Sequence, residues 1–150
     1  MTSIETGVFE GLPNLERLYL SGNKLTYIAP GAFDSLTFLS ELHLSGNSLG
    51  YVHDAMFTGL RFLELLDLNF NMISYIDIGS FNTTNRLTTI KLYSNNLKSL
   101  NMTTLDELTF ADSLDIASNP FNDFFNQFAN RTEPASLAIE TLYVGFVLFP

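Results

Sequence analysis

A repeat of 24 residues constrains this chain more than any other feature. The pattern L-x-x-L-x-L-x-x-N-x-L-x-x-I begins at Leu15, and matching residue types return every 24 positions. A unit this short cannot bury its own apolar side, so successive units must stack on one another. The asparagines of the pattern are Asn23, Asn47, Asn71, Asn95 and Asn119. A column of large apolar residues with the same spacing contains Phe9, Phe33, Phe57, Phe81 and Leu105.

The spacing within each unit predicts the shape of the stack. The short L-x-L segments alternate apolar and polar residues, as a half-buried strand does. Stacked in register, they form a parallel sheet whose leucines point into the core and whose intervening residues point outward. An asparagine amide both donates and accepts hydrogen bonds, so we interpret the asparagine column as a structural ladder at the turns. The phenylalanine column is interpreted as a core spine on the opposite side.

These columns resemble the 24-residue typical leucine-rich repeat of animal extracellular proteins, which carries a phenylalanine in its convex half, as Phe33 and Phe57 do here. Residues 114–121 read L-D-I-A-S-N-P-F, which is similar to the stretch leading into the C-terminal cap of that family. Within the family, the segment at Asn130 resembles one in Toll-like receptors. The resemblance implies an α/β leucine-rich-repeat solenoid, with a curved parallel sheet on its concave face and loops and short 3₁₀ turns on its convex face.

The period also divides the chain. A half repeat covers residues 1–14, and full repeats start near residues 15, 39, 63, 87 and 111, so the repeats end at residue 121. Because the chain begins halfway through a unit, we expect a fragment, or a chain that stacks on something else. The family cap usually continues with C-x-C, where this chain has Asp123 and Phe125. Residues 122–150 are therefore expected to be a degenerate, cysteine-free cap or a junction, and 137–150 could add a strand over the end.

Composition limits the classes of function. The net charge is −9 and the seven Lys and Arg residues are scattered, which argues against a nucleic-acid groove. With no cysteine, disulfides and thiolate metal sites are excluded, and no metal or cofactor is expected. No signal peptide is visible, and the longest apolar run, 142–150, is shorter than the roughly 20 residues that span a bilayer. A membrane link is expected only through flanking segments.

The outward positions of the strands are the candidate ligand-binding residues of the concave face. Exposed aromatic and large apolar side chains there are costly unless they meet a partner. The polar ones alternate in charge between neighbouring strands, and they either steady the sheet or contact the ligand. The candidates are Arg17, Tyr19, Glu41, His43, Leu65, Asp67, Phe70, Lys91 and Tyr93.

Catalysis has little support in the sequence. His43 beside Asp67, with Ser21 or Ser45 nearby, is the one combination that suggests a nucleophile with its base. These positions lie on an open, solvated face, and nothing suggests an oxyanion hole. We therefore predict no enzymatic activity and no catalytic residue.

Three N-x-S/T sequons, at Asn82, Asn101 and Asn130, avoid the strand face and predict glycosylation. The family resemblance implies an extracellular or cell-surface location and an innate-immune, Toll-like receptor. Such a module binds a protein or microbial ligand and could form a homodimer on binding it. The alternative is an adhesion or matrix protein, or an intracellular leucine-rich-repeat scaffold.

Overall fold

A computed structural model describes residues 1–122 and 141–143, and its strands recur with the period of the sequence. They are short because each repeat contributes only one L-x-L segment to the sheet. In chain order the elements are β1 (Ser3–Ile4), β2 (Arg17–Tyr19), β3 (Tyr27–Ile28), β4 (Glu41–His43), β5 (Tyr51–Val52), β6 (Leu65–Asp67), β7 (Tyr75–Ile76), β8 (Thr89–Lys91), α1 (Met102–Glu107), β9 (Ser113–Asp115) and β10 (Thr141–Tyr143).

Six strands form one parallel sheet in the order β10-β9-β8-β6-β4-β2. Leu42 pairs with Leu66 and Leu66 with Ile90, so each repeat lies one full period from its neighbour in register. The predicted parallel solenoid is confirmed. Beyond the repeats, Thr141 of β10 pairs with Ser113 of β9, which continues the sheet by one strand. The rest of the expected cap, at residues 123–140 and 144–150, lies outside the described residues.

The core lies between the main sheet and the turns on the opposite side. In β6 the central Leu66 is fully buried, whereas Leu65 and Asp67 on either side of it are only partly covered. The phenylalanine column is buried as predicted, and the rings of Phe57 and Phe81 stack with centroids 6.1 Å apart. Burial of one such ring contributes about 2 to 3 kcal/mol, so this column holds successive repeats together.

From Asn47 onward, the asparagine column joins each repeat to the preceding one, whereas among the described residues Asn23 bonds only carbonyls of its own repeat. The Nδ2 of Asn71 donates to the carbonyl oxygens of Leu44, at 3.0 Å, and Leu68, at 3.1 Å. Its Oδ1 accepts from the backbone N–H of Leu49 at 3.1 Å. Leu44 and Leu49 both belong to the preceding repeat, so one side chain satisfies buried backbone groups on both sides of the junction. The interpretation of this column as a structural ladder is confirmed.

The side opposite the main sheet consists mostly of turns with hydrogen bonds between residues three apart, such as Leu36 N–H to the Phe33 carbonyl at 2.9 Å. Two small parallel sheets, β1-β3 and β5-β7, flank these turns. In the fourth repeat the expected loop is instead the helix α1. Asn101 caps that helix by accepting a hydrogen bond from Thr103 N–H at 2.8 Å, which satisfies a donor left open at the helix start.

Candidate ligand-binding face

The outward side of the main sheet, here called the strand face, carries the predicted ligand-binding residues. Seven of them lie within the strands, because every outward position of an L-x-L segment belongs to this face. Phe70 and Tyr93 lie just beyond β6 and β8, where the chain turns away from the sheet. Each predicted residue is partly or fully exposed.

A chain of polar contacts crosses the first three strands of this face. Arg17 Nε lies 3.0 Å from Glu41 Oε1, and His43 Nε2 lies 3.3 Å from Glu41 Oε2. Hydrogen bonds from His43 and Arg17 hold the pKa of Glu41 below its ordinary value, since both favour the carboxylate. The contact with Glu41 raises the pKa of Arg17. His43 Nδ1 lies 3.9 Å from Asp67 Oδ2, so this chain of contacts ends on β6.

The aromatic ring of Tyr19 extends the same cluster. It stacks on His43 with ring centroids 4.5 Å apart and an interplanar angle of 13°. Tyr19 remains 64% exposed even with this contact. The stacking holds an exposed tyrosine, with an apolar ring and a polar hydroxyl, on the surface, and such residues are enriched at protein interfaces.

The predicted alternation of charge does not become a ladder of ion pairs beyond Asp67. Asp67 Oδ1 accepts from Asn69 N–H at 3.0 Å, and Asp115 Oδ1 accepts from Ala117 N–H at 3.1 Å. Because each carboxylate bonds the backbone of its own repeat, Lys91 makes no ion pair with any residue that the structure describes. The charge of Lys91 therefore remains on a solvent-facing surface.

Phe70 occupies an unfavourable backbone conformation. Its φ is +54°, in the left-handed region, where the equivalent residues of the first two full repeats are Gly22 and Gly46. A bulky residue there is strained by about 1 to 2 kcal/mol. Phe70 is also 57% exposed, and it meets Tyr93 edge to face with centroids 5.3 Å apart. Backbone strain and an exposed aromatic ring thus occur together at Phe70, at the edge of the strand face where the strands end.

Among the described residues, the strand face lacks the contacts that serine catalysis needs. Ser21 and Ser45 hydrogen bond to each other at 2.9 Å, and His43 bonds Glu41 rather than a serine hydroxyl. Across residues 1–122 and 141–143, no three His, Asp or Glu side chains are grouped so that they could hold a metal ion. The described part of the face presents groups suited to surface recognition.

Two predicted glycosylation sites are visible on other surfaces. Asn82 lies among the turns and Asn101 at the start of α1, and both are exposed. Since Asn101 uses its Oδ1 as the helix cap, its Nδ2, the atom that carries a glycan, is not used by the cap. The third site, Asn130, lies outside the described residues. Within the described segments, no helix is long and apolar enough to span a bilayer.

Sequence reasoning missed two aromatic columns on the flanks of the solenoid. Tyr27, Tyr51 and Tyr75 lie beyond the asparagine turn, and Phe38 and Phe62 lie just before the strands. All five side chains are at least 36% exposed. Their 24-residue spacing is visible in the sequence and could have identified them. They were missed because only the outward positions of the strands were considered as binding residues.

Comparison with known proteins agrees with this geometry. A leucine-rich-repeat family model matches residues 1–49, 39–81 and 61–121. A chain of the Drosophila Toll–Spatzle complex, described as a molecular hub in development and innate immunity, superposes with a TM-score of 0.65 at 21% identity. That match covers 81% of this chain but only 21% of the Toll–Spatzle chain, so this chain spans about a fifth of that length. No curated protein matches the sequence significantly.

Proposed function

This chain belongs to the leucine-rich-repeat family, and on that premise we propose that it recognises a protein or microbial ligand through its strand face. We propose further that it is part of a secreted or cell-surface innate-immune receptor of the Toll-like type, without enzymatic activity. An open sheet of outward side chains suits contact with a large partner better than enclosure of a small substrate.

The observation that carries this proposal is the pair Phe70 and Tyr93. A folded chain tolerates strain and an exposed apolar ring at one position when that residue serves a function. Aromatic residues are also enriched among those that dominate binding energy at interfaces. Around this pair, Leu65, Lys91 and the cluster at His43 supply apolar and charged contacts on the same surface.

The receptor setting is supported by the position of the sequons at Asn82 and Asn101 away from the strand face and by the likeness to a chain of the Toll–Spatzle complex. Mass mapping of the protein from its native cells, at Asn82, Asn101 and Asn130, tests this setting. A glycan at any of these asparagines places the chain in the secretory pathway. Unmodified asparagine at all three sites favours an intracellular scaffold and removes the receptor proposal.

The binding face is tested in the full-length protein by photocrosslinking. A photoreactive phenylalanine analogue replaces Tyr93 in one version and Ile78, which is 50% exposed among the turns, in the control. We expect covalent capture of a partner from position 93 and not from position 78. The sedimentation of the receptor, with and without the captured partner, then tests whether binding brings two copies together.

Binding of that partner is then measured for substituted proteins. Phe70→Gly and Tyr93→Ala should each weaken binding tenfold or more, because an interface hot spot is worth about 2 kcal/mol. Ile78→Ala and Val8→Ala remove apolar side chains of comparable exposure, 50% and 54%, from the turn side. Equal or greater weakening by these two controls would mean that the strand face is not the binding face.

A further inference from the structure

A second aromatic surface lies on the flank of the solenoid, just before the strands. One position of the repeat is occupied by Asn14, Phe38, Phe62, Arg86 and Phe110, all 24 residues apart. Every one of these side chains is exposed, and Phe38 and Phe110 are 52% and 59% exposed. This flank surface is separate from the strand face, because its residues precede the strands instead of alternating within them.

The rings of this surface are already ordered. Phe38 and Phe62 stack with centroids 5.4 Å apart and an interplanar angle of 27°. On the next repeat, the guanidinium carbon of Arg86 lies 4.4 Å from the centroid of Phe62. Arg86 thus shows that an arginine side chain can pack against this aromatic column, through attraction between its positive charge and the ring.

An open groove of about 410 Å³ runs beside the two rings. It is lined by Asn14, Glu16, Phe38, Ser40, Phe62 and Glu64. Glu16 and Glu64 are two repeats apart, so their backbones are separated by about 10 Å, twice the spacing between neighbouring strands. Phe38 lies two residues before Ser40, the position midway between Glu16 and Glu64 in the column.

The charged residues that line the groove are all acidic. No lysine or arginine lines it, and neither Glu16 nor Glu64 forms an ion pair with any described residue. The hydroxyl of Ser40, the remaining polar group at the centre, donates to the backbone carbonyl of Glu16 at 3.0 Å. Two carboxylates that form no ion pair with a described residue, beside an exposed ring in a chain of net charge −9, complement a cation with a flat apolar face.

We propose that this flank groove binds an arginine side chain of a protein partner, with its guanidinium against Phe38 between Glu16 and Glu64. Arginine fits better than lysine, because its planar guanidinium stacks on a ring while its N–H groups donate sideways to carboxylates. The inference rests on protein recognition as the function of the chain, but it uses a different surface from the strand face.

The test uses the intact protein and three blocked hexapeptides, acetyl-(Gly-Arg)₃-amide, its lysine counterpart and its citrulline counterpart. Citrulline keeps the shape of arginine without the charge. Binding is followed by NMR of isotope-labelled phenylalanine rings. We expect the arginine peptide to shift the Phe38 and Phe62 resonances, the lysine peptide to bind at least threefold more weakly, and the citrulline peptide to leave both rings unshifted.

Two matched variants separate the groove from the overall field. Glu16→Gln with Glu64→Gln should weaken arginine-peptide binding at least fivefold. Glu5→Gln with Glu10→Gln makes the same change in net charge at exposed positions away from the groove and should change it less than twofold. Phe38→Leu, at an exposed position where folding is not at risk, should weaken binding about threefold.

Comparable weakening by the two charge variants, or comparable binding of the citrulline peptide, would overturn the proposal. Tyr93→Ala on the strand face should leave peptide binding unchanged. If it abolishes binding instead, the peptide sits on the strand face and the flank groove is not its site. Because this assay needs no natural partner, it can fail while the strand-face proposal stands, and the reverse also holds.

Discussion

At the scale of single residues, the left-handed backbone at Phe70 gives a prediction that separates strain from contact. Phe70→Gly and Phe70→Ala both remove the ring and its contact with Tyr93, but only glycine adopts a φ of +54° without steric cost. We expect the glycine variant to be more stable than the alanine variant by about 1 kcal/mol. Urea unfolding of the two proteins measures the difference.

The same pair of substitutions at Tyr19, an exposed position within β2, is the control. There the strand backbone favours alanine, so the order of stabilities should reverse. An alanine variant at Phe70 that equals or exceeds the glycine variant would contradict the assignment of strain. Both Phe70 variants should lose partner affinity alike, since the ring is absent from each.

The asparagine ladder gives a second prediction at this scale. Asn71→Ala removes all four hydrogen bonds of the Asn71 side chain and leaves the buried N–H of Leu49 without its partner. The carbonyl of Leu44 keeps its bond from Asn47. One unsatisfied buried N–H costs about 1 to 3 kcal/mol, and each further lost hydrogen bond about 1 kcal/mol or less, so we expect a loss of about 2 to 4 kcal/mol in the free energy of unfolding. Asn96→Ala is the control, because its exposed amide makes one long bond, 3.5 Å to Met72. A similar loss of unfolding free energy in both variants would contradict the structural role assigned to Asn71.

The two positions also show how far the sequence could be read. Asparagine recurs at every turn, so its structural role followed from the pattern, and hydrogen bonding confirms it. The left-handed position was marked by Gly22 and Gly46, yet the residues that follow in the column are Phe70, Ser94 and Ser118. Only the backbone of the folded chain shows that these three adopt the glycine-like conformation. That conformation is what singles out Phe70 among the predicted binding residues.

At the scale of elements, the strands were predictable and the helix was not. Each strand forms from an L-x-L segment that pairs in register with the same segment of the next repeat. The 24-residue period shows both the segment and its partner. Helix α1 forms in the fourth repeat, where Asn101 provides a cap. The carboxylate of Glu107 also accepts from the backbone N–H groups of Gly79, at 2.6 Å, and Phe81, at 3.2 Å. These contacts cross to the preceding repeat, which local propensity does not encode.

A testable hydrogen bond joins Tyr51 of β5 to Asp77, the residue that follows β7. The hydroxyl of Tyr51 donates to the Asp77 carboxylate, which raises the pKa of Tyr51 to about 12. A phenol whose folded pKa is raised stabilises the fold fully below its unfolded pKa, about 10. This stabilisation is lost as the pH rises through about 12. We therefore expect the stability difference between the protein and Tyr51→Phe to shrink over that range.

Ionisation of tyrosine is followed directly by absorbance at alkaline pH, with rapid pH jumps so that the fold persists during the reading. The unmodified protein should show a late ionisation step that is missing from Tyr51→Phe. Tyr27→Phe, at the equivalent position of the preceding repeat, is the control and should retain the late step. A titration without that step would contradict the hydrogen bond to Asp77.

At the scale of the whole molecule, the contacts described above join each repeat to its immediate neighbours. The strand pairs of the main sheet, the stacked phenylalanines and the asparagine bonds all join residues of adjacent units. Stability is therefore close to a sum of terms for single repeats and for junctions between neighbours. The flank surface and the strand face are separate columns of exposed positions. A substitution on one of them should therefore leave the packing beneath the other unchanged.

A cavity in the middle repeat tests this nearest-neighbour description. Leu66 is fully buried and pairs with Leu42 and Ile90, so Leu66→Ala should cost about 3 to 5 kcal/mol. Hydrogen exchange should show the largest loss of amide protection in β4, β6 and β8, and a smaller loss in β2, which does not touch β6. Ile78→Ala, at a half-exposed turn position, should change no strand. An equal loss of protection in all strands would show instead that the stack unfolds as one cooperative unit, with the junctions much stronger than the repeats themselves.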